Sequence, residues 1–471
     1  MTRRCALLVV ASLFAASAAW AQANAPQQPA AQSFTLAQAL QYALDHYPSV
    51  RSALEQVNVS AATVSVAKAA YLPRLDALWQ TNRATANNVF GQLLPQSVIP
   101  AISGPVLPST SSDSVWGTAV GGVFSWEPFD FGLRGATVRE AEAGVVRSRA
   151  EETLTRLSVQ HAVGAAFLAV VSAQQAVVAA EADARRRGTL AQAAQTLVDN
   201  QLRPGAEASR AVAERAAADT RVIQARQVLT ITEARLAQFL GIPDGAATVN
   251  TAGLLERPAE GAATSTPSPQ HPLLQSGQAA VDLARARESV LASTYRPRLY
   301  LQSSVFARGT GANVDGDFDG GANGLGLERA NWAAGVQVVF PNLFDFASVR
   351  ARRAAAGAAT RAESARYDEA ALTVGNQRRT TDAMVTAALA IARNTPLQLT
   401  AAQQSETQAR ARYDAGLASI VEVADAQNLL TQAEYQDSAA RIDVWRALLA
   451  QAVAGGRLAP FVDLLRVAGV Q

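Results

Sequence analysis

The chain has 471 residues, with 41 Lys and Arg against 39 Asp and Glu, three His and one Cys, for a net charge of +2. So even a balance excludes the basic excess of a nucleic-acid binder, and no nucleic acid is expected as a partner. Cys5 is the lone cysteine and lies in the first segment, which leaves the rest without disulfides, thiolate metal ligands or a cysteine nucleophile.

In chain order, Arg3 and Arg4 precede an apolar run from Cys5 to Ala19, and small-residue sites follow at Ala19-Trp20-Ala21 and Ala21-Gln22-Ala23. That layout predicts a secretory signal peptide over residues 1–23. Beyond it no stretch stays apolar over the roughly 18 residues that a helical span requires. Any membrane insertion is then expected as a closed β-barrel, which leaves no backbone group unpaired against lipid.

The remainder reads as one plan used twice. Tyr47-Pro48 followed by Tyr71-Leu72-Pro73-Arg74-Leu75 returns as His271-Pro272 followed by Tyr295-Arg296-Pro297-Arg298-Leu299, with the same spacing between the two prolines in each copy. Phe129-Asp130-Phe131 returns as Phe344-Asp345-Phe346, and the break at Gln201-Leu202 returns at Gly416-Leu417, both at one common offset along the chain. The copies are expected over 24–260 and 261–471. They differ in length mainly between the second proline and the Phe-Asp-Phe, where the first copy is the longer, and a length change confined to one place marks a loop.

Each copy predicts a helix of about 24 residues between its prolines, since proline suits a first turn and cannot be reached by a continuing helix. A long Ala-, Arg-, Glu- and Gln-rich stretch follows, Thr137 to Asn200 and Ala347 to Tyr413, about 65 residues or about 100 Å as one helix. After a break comes a returning helix of about 37 residues, about 55 Å, which with the first helix matches the long arm. Pro396 is expected to kink the second long helix or to end a segment.

Between second proline and Phe-Asp-Phe the pattern has period two, and strands are expected at about 74–84, 115–126, 298–308 and 330–340. Trp116, Thr118, Val120, Gly122, Phe124 and Trp126 share one face. The two tryptophans are separated by about 33 Å along the strand, or about 25 Å in height at a tilt of about 40°, the spacing of the two aromatic girdles of an outer-membrane barrel. Trp116, Phe124, Trp126, Trp332 and Phe340 are the expected girdle. A soluble hairpin with tryptophan in its core fits the alternation alone; the signal peptide and the long helices favour the barrel. Asn87 to Ser114 and Arg308 to Gly326 suit extracellular loops.

Tyr413-Asp414-Ala415-Gly416-Leu417-Ala418-Ser419-Ile420-Val421-Glu422-Val423-Ala424-Asp425-Ala426 and Arg203-Pro204-Gly205-Ala206-Glu207-Ala208-Ser209-Arg210 resemble the two helix-tip motifs of the TolC-type outer-membrane efflux family. The resemblance implies an all-α chain with a membrane β-barrel: a homotrimer with four strands per chain, hence twelve in all, above a periplasmic α-helical barrel. It implies an outer-membrane exit duct without cofactor or metal. Its partners would be outer-membrane lipids, a periplasmic adaptor, and an inner-membrane pump of the RND or ABC type, with drugs or other small molecules as cargo. Type I protein secretion and metal efflux use the same duct and remain alternatives, and a periplasmic adaptor-like helical protein is a more distant one.

The same resemblance places an acidic ring at the entrance, formed by Glu422, Asp425 and Glu207. Adaptor-contacting tips are expected at Leu202, Arg203, Pro204, Gly205, Gly416, Leu417 and Ser419. Ala418 stands where some family members carry an arginine that ties the closed tip.

No catalytic residues are expected. His46, His161 and His271 are widely spaced in sequence, and none has a ligand-like neighbour four residues on. Asp315-Gly316-Asp317-Phe318-Asp319-Gly320 opens like a calcium loop but has Gly326 where a bidentate Glu is required. No Gly-x-x-x-x-Gly-Lys phosphate cradle is present, so energy is expected from a partner.

Overall fold

The computed structural model describes residues 33–85, 96–99, 110, 112–243, 247–251, 253–256, 258, 270–313, 315, 317, 319–341 and 344–467. The segment expected as a signal peptide lies outside them. In chain order the elements are β1 (Ser33–Phe34), α1 (Leu36–His46), α2 (Pro48–Ala69), β2 (Arg74–Thr85), β3 (Ser114–Phe129), α3 (Leu133–Asp199) and α4 (Gly205–Leu240). The second half holds β4 (Thr248–Val249), α5 (Pro272–Ser293), β5 (Arg298–Thr310), β6 (Arg329–Val339), α6 (Phe346–Asp414), α7 (Ile420–Ala454) and α8 (Ala459–Val467).

These elements fall into two compact units. One comprises residues 53–152 and 273–372 and contains a four-stranded antiparallel sheet in the order β2-β3-β5-β6. Each hairpin belongs to one copy of the repeat, and β3 against β5 joins the copies, with Val120 opposite Ala307. α2 and α5 both begin on proline and both have 22 residues. They stop before Pro73 and Pro297, whose rings exclude the helical conformation in the residue before them. β2 and β6 are the sheet edges, and among the described residues neither has a partner strand on its outer side, which leaves a row of backbone donors and acceptors there.

The other unit comprises residues up to 52, 153–272 and 373–471. Its main core surrounds Trp445, with Phe167, Leu168, Leu236, Leu240, Ile442 and Phe461 all buried. Trp445 meets Phe461 edge to face at 6.3 Å and donates its Nε1–H to the Glu256 carbonyl at 3.3 Å. Burying a ring of this size contributes strongly to a core, and its one polar atom needs a partner there. β1 pairs in parallel with β4, and α1 starts in a capping box in which Thr35 and Gln38 satisfy each other's backbone N–H. These short elements and α8 were not foreseen from the repeat pattern.

Of the two outcomes expected at Pro396, a kink or the end of a segment, the second does not occur, since α6 passes through it as one helix of 69 residues. The expectation that no later stretch is apolar enough for a helical span needs correction. α3 does contain one 18-residue window apolar enough to cross a membrane by length and composition, half of it buried. Val163, Phe167, Leu168, Val170 and Val171 of this helix belong to the core around Trp445, which accounts for its apolar character by packing.

Candidate functional site

The register sorts the sheet into two faces. Trp79 lies opposite Val120, Val120 opposite Ala307, and Val305 opposite Trp332. Directly paired residues share a face, so Leu75, Trp79, Val120, Phe124, Trp126, Val305, Trp332, Val336 and Val338 lie together, all exposed. Trp79 and Trp332 are 76% and 79% exposed, and a continuous apolar face of this kind marks a surface that meets lipid or another protein. The opposite face carries Asp76, Gln80, Asn82, Gln302, Ser304, Arg308, Asn331 and Gln337. Of the expected girdle, Phe124, Trp126, Trp332 and Phe340 are exposed, while Trp116 is half-buried with the Arg83 guanidinium 5.7 Å from its ring. Leu75, Trp79 and Val305 were missed. The signal was present in the alternation Leu75, Ala77, Trp79, but Asp76 within it and Arg74 and Gln80 on either side masked it.

At the exit from β3 the chain enters α3 through an ionic knot. Asp130 accepts from the backbone N–H of Gly132 and Arg134, and from Arg134 Nε at 3.0 Å. The same guanidinium donates to the Ala70 carbonyl and lies 4.7 Å from the Tyr71 ring. Gly132 has φ of 105°, a conformation that a side chain opposes. Burial pushes the Asp130 carboxyl up, but the backbone and Arg134 hydrogen bonds outweigh it and hold the pKa below the usual value. In the second copy, Asp345 is exposed and makes one such bond, to the Ser348 N–H at 3.3 Å.

The expected tips form two equivalent turns. Leu202 N–H bonds back to the Leu197 carbonyl at 2.9 Å, and Leu417 N–H to the Arg412 carbonyl at 2.8 Å. Both close a left-handed residue after a long helix, Gln201 with φ of 59° and Gly416 with φ of 73°. Leu202 and Leu417 project at these turns, 67% and 72% exposed. Pro204 and Ser419 then cap α4 and α7 without side-chain hydrogen bonds, and Gly205 opens α4.

Beneath the turns Ala418 is buried with Ala191, Ala194, Ala211, Tyr413, Ile420 and Val423. An arginine at position 418 would have to displace this cluster. A different arginine reaches the spot: Arg203 lies 5.2 Å from the Tyr413 ring and 3.6 Å from the Glu207 carboxylate. The Tyr413 hydroxyl donates to Glu207 at 3.3 Å, which ties the first tip to the second. Burial and the adjacent Glu207 charge push the Tyr413 phenol pKa up.

Glu207, expected in the acidic ring, is therefore engaged in this latch. Glu422 and Asp425 are exposed on α7. Glu422 lies 3.7 Å from Arg412, and Asp425 has no hydrogen-bond or ion-pair partner among the described residues.

Sequence reasoning also missed a buried ionic node. Arg187 and Asp183 of α3 are almost wholly buried, with Arg187 Nε 2.9 Å from the Asp183 carboxylate. Arg187 also bonds Glu214 of α4 at 2.7 Å and Asn428 of α7 at 2.6 Å. Asp183 further accepts from Arg221 of α4 and Thr431 of α7, both at 2.9 Å. Arg186 and Glu434 add a neighbouring pair at 2.8 Å. Three helices are thus joined through two charges that water does not reach.

Other candidates stay as isolated features. His46 bonds the Tyr42 carbonyl at 2.9 Å, while His161 and His271 have pKa values lowered by burial. Among the described residues no group of three or more acidic, His or Cys side chains could hold a metal. In the calcium-like segment Asp315 accepts from the Asp317 N–H at 3.3 Å, and Asp319 N–H bonds the Gly311 carbonyl at 2.8 Å. Its Gly316 and Phe318, and most of the expected loop from Asn87 to Ser114, lie outside the described residues.

A sheet with one lipid-compatible face, one polar face and two unpaired edges, continued into long paired helices, defines a channel subunit. The chain belongs to the outer membrane efflux protein family, whose model matches residues 39–242 and 269–456. Members of this family are trimeric ducts of the outer membrane that serve tripartite efflux systems with an adaptor and an inner-membrane pump. No curated protein matches the chain by sequence.

Among solved structures it is similar to VceC from Vibrio cholerae (17% identity, 90% of this chain and 96% of that one, TM-score 0.68). It is also similar to the CmeC channel of Campylobacter jejuni (15%, 92% and 90%, 0.69) and to the open MtrE channel of Neisseria gonorrhoeae (17%, 90% and 89%, 0.65). At these identities the likeness is one of fold. Three copies of four strands each make the twelve-stranded barrel of the fold class.

Proposed function

We propose that this duct conducts drugs or other small molecules from an RND- or ABC-type pump and its periplasmic adaptor to the exterior, with no catalysis of its own. The observation that carries the reading is the two-faced sheet: its apolar side suits lipid, and its polar side suits a water-filled lumen once the edges are paired. Trp116, Phe124, Trp126, Trp332 and Phe340 then form the interfacial girdle, extended by Trp79. Residues 1–23 would be removed on export, and the two copies, 24–260 and 261–471, each contribute one hairpin and one tip.

The tips are the entrance and the adaptor contact. Leu202 and Leu417 are the exposed apolar points, with Arg203, Pro204, Gly205, Gly416 and Ser419 shaping the turns. Glu422 and Asp425 give the threefold entrance its negative field, which concentrates cations. Arg203, Glu207 and Tyr413 act as the latch between the two tips, in the place of the arginine missing at 418.

Single-channel recording of the purified trimer tests this. Glu422→Gln with Asp425→Asn should lower cation preference while trimer yield stays intact. Asp219→Asn serves as the control, because Asp219 is exposed on α4, paired only with its neighbour Arg215. Equal loss of selectivity in the control would remove the entrance assignment and leave a diffuse lumen charge.

A further inference from the structure

We infer that Val98 and Ile99 form a constriction inside the barrel and so set the largest cargo that the duct passes. The described segment 96–99 belongs to the connection between β2 and β3, yet it lies on the polar face of the sheet. Ile99 is 1% exposed and Val98 8%, and both pack on Ala119 and Phe306, with Leu78 and Val123 beside them. All four of these sheet residues belong to the face opposite Trp79, Val120 and Trp332. The inference rests on that face being the lumen.

Two features make the seat specific. A Cβ on Gly121 would stand 3.3 Å from Ile99 Cγ1 and 2.7 Å from Phe306 Cβ, so the bare backbone at 121 is what lets the segment settle. The segment also satisfies its own polar groups: the Gln96 side chain accepts from the Val98 and Ile99 N–H and donates to the Ile99 carbonyl. Without that, its backbone would need a strand partner or water to leave the sheet surface dry. The helix-bearing ends of the strands are marked by Arg74, Phe129, Arg298 and Val339, and the loops join the other ends. Ile99 sits at the level of Ala119 and Gly121, several residues in from the loop end of β3. Three copies, one per subunit, therefore narrow the lumen from within, with apolar side chains clamped to the wall.

The test is thiol labelling from outside intact cells in a Cys5→Ser background. Ser125 lies on the same face, four residues beyond Gly121 toward the helix-bearing end, so Ser125→Cys reports passage beyond the constriction. A small cationic methanethiosulfonate should label it in every background. A long polyethylene glycol maleimide should label it only when Ile99→Asp, or Phe306→Ala, is added to release the segment. Gel migration of the trimer checks assembly, and the second releasing variant covers a failure of the first to assemble. As a direct readout, Ile99→Cys should react far more slowly with the small reagent than the exposed Ser97→Cys. Rapid labelling of Ser125→Cys by the long reagent with Ile99 in place would overturn the constriction. No labelling of Ser125→Cys by the small reagent would overturn the lumen assignment beneath it.

Discussion

Arg187→Met cuts the buried node at its centre. The guanidinium makes contacts with Asp183, Glu214 and Asn428, and its loss leaves the Asp183 carboxylate in a site only 1% exposed. Stripping one partner from a buried pair costs about 3–5 kcal/mol, mostly as the penalty of the charge left behind. Asp183 keeps Arg221 and Thr431, and Glu214 is partly wet, so the lower end, about 3 kcal/mol, is the expected size. That corresponds to roughly a 150-fold rise in local opening. Hydrogen exchange on the detergent-solubilised trimer reads it, in peptides covering residues 183–190, 211–221 and 424–434. Adding Asp183→Leu removes the orphaned charge as well and should restore much of the protection. Protection in Arg187→Met within threefold of the parent in all three segments would refute the reasoning, since the node would then hold nothing.

Val336→Arg, on the apolar face of β6, should cost about 2–4 kcal/mol at mid-depth and deplete the assembled trimer on gels, whereas Gln337→Arg on the other face should not. Asp130→Asn should destabilise the trimer to heat at neutral pH. Because the folded pKa of Asp130 is held below the ordinary 3.8, its contribution is complete above that value, and is lost as pH falls through the folded pKa. Melting of parent and variant should therefore converge in acid and diverge above it; a gap independent of pH would exclude the carboxylate. Tyr413→Phe removes the bond to Glu207, about 0.5–1.5 kcal/mol, and should raise the open fraction of single channels several-fold, with no change if the latch is idle.

The duplicated plan was legible because its punctuation is chemical. Prolines at 48, 73, 272 and 297 and the two Phe-Asp-Phe triplets fix where helices can begin and end, whatever the packing. The strand faces were legible where glycine, alanine and valine separate the aromatics, as in β3. They were harder to read in β2, where Arg74, Asp76 and Gln80 are polar because they face the other way. α1, β1, β4 and α8 escaped because none repeats, and the two strands have only two residues each.

At the tips, the acidic positions on α7 were readable from the motif. The role of Arg203 was not, since its partner Tyr413 lies in the other copy of the repeat and only the turn geometry brings them together. The node was invisible for a related reason. Asp183, Arg187, Glu214 and Arg221 look like the solvated charges of any long polar helix until a third helix covers them.

The open edges of the sheet have a genetic consequence. A subunit with a defective β2 or β6 still offers one sound edge, so it can join two normal subunits and leave one seam unclosed. In a cell making equal amounts of sound and edge-defective chains that mix at random, only about one trimer in eight contains no defective copy. Edge mutations in this chain should therefore behave as dominant alleles, while mutations that prevent a chain from associating at all should be recessive.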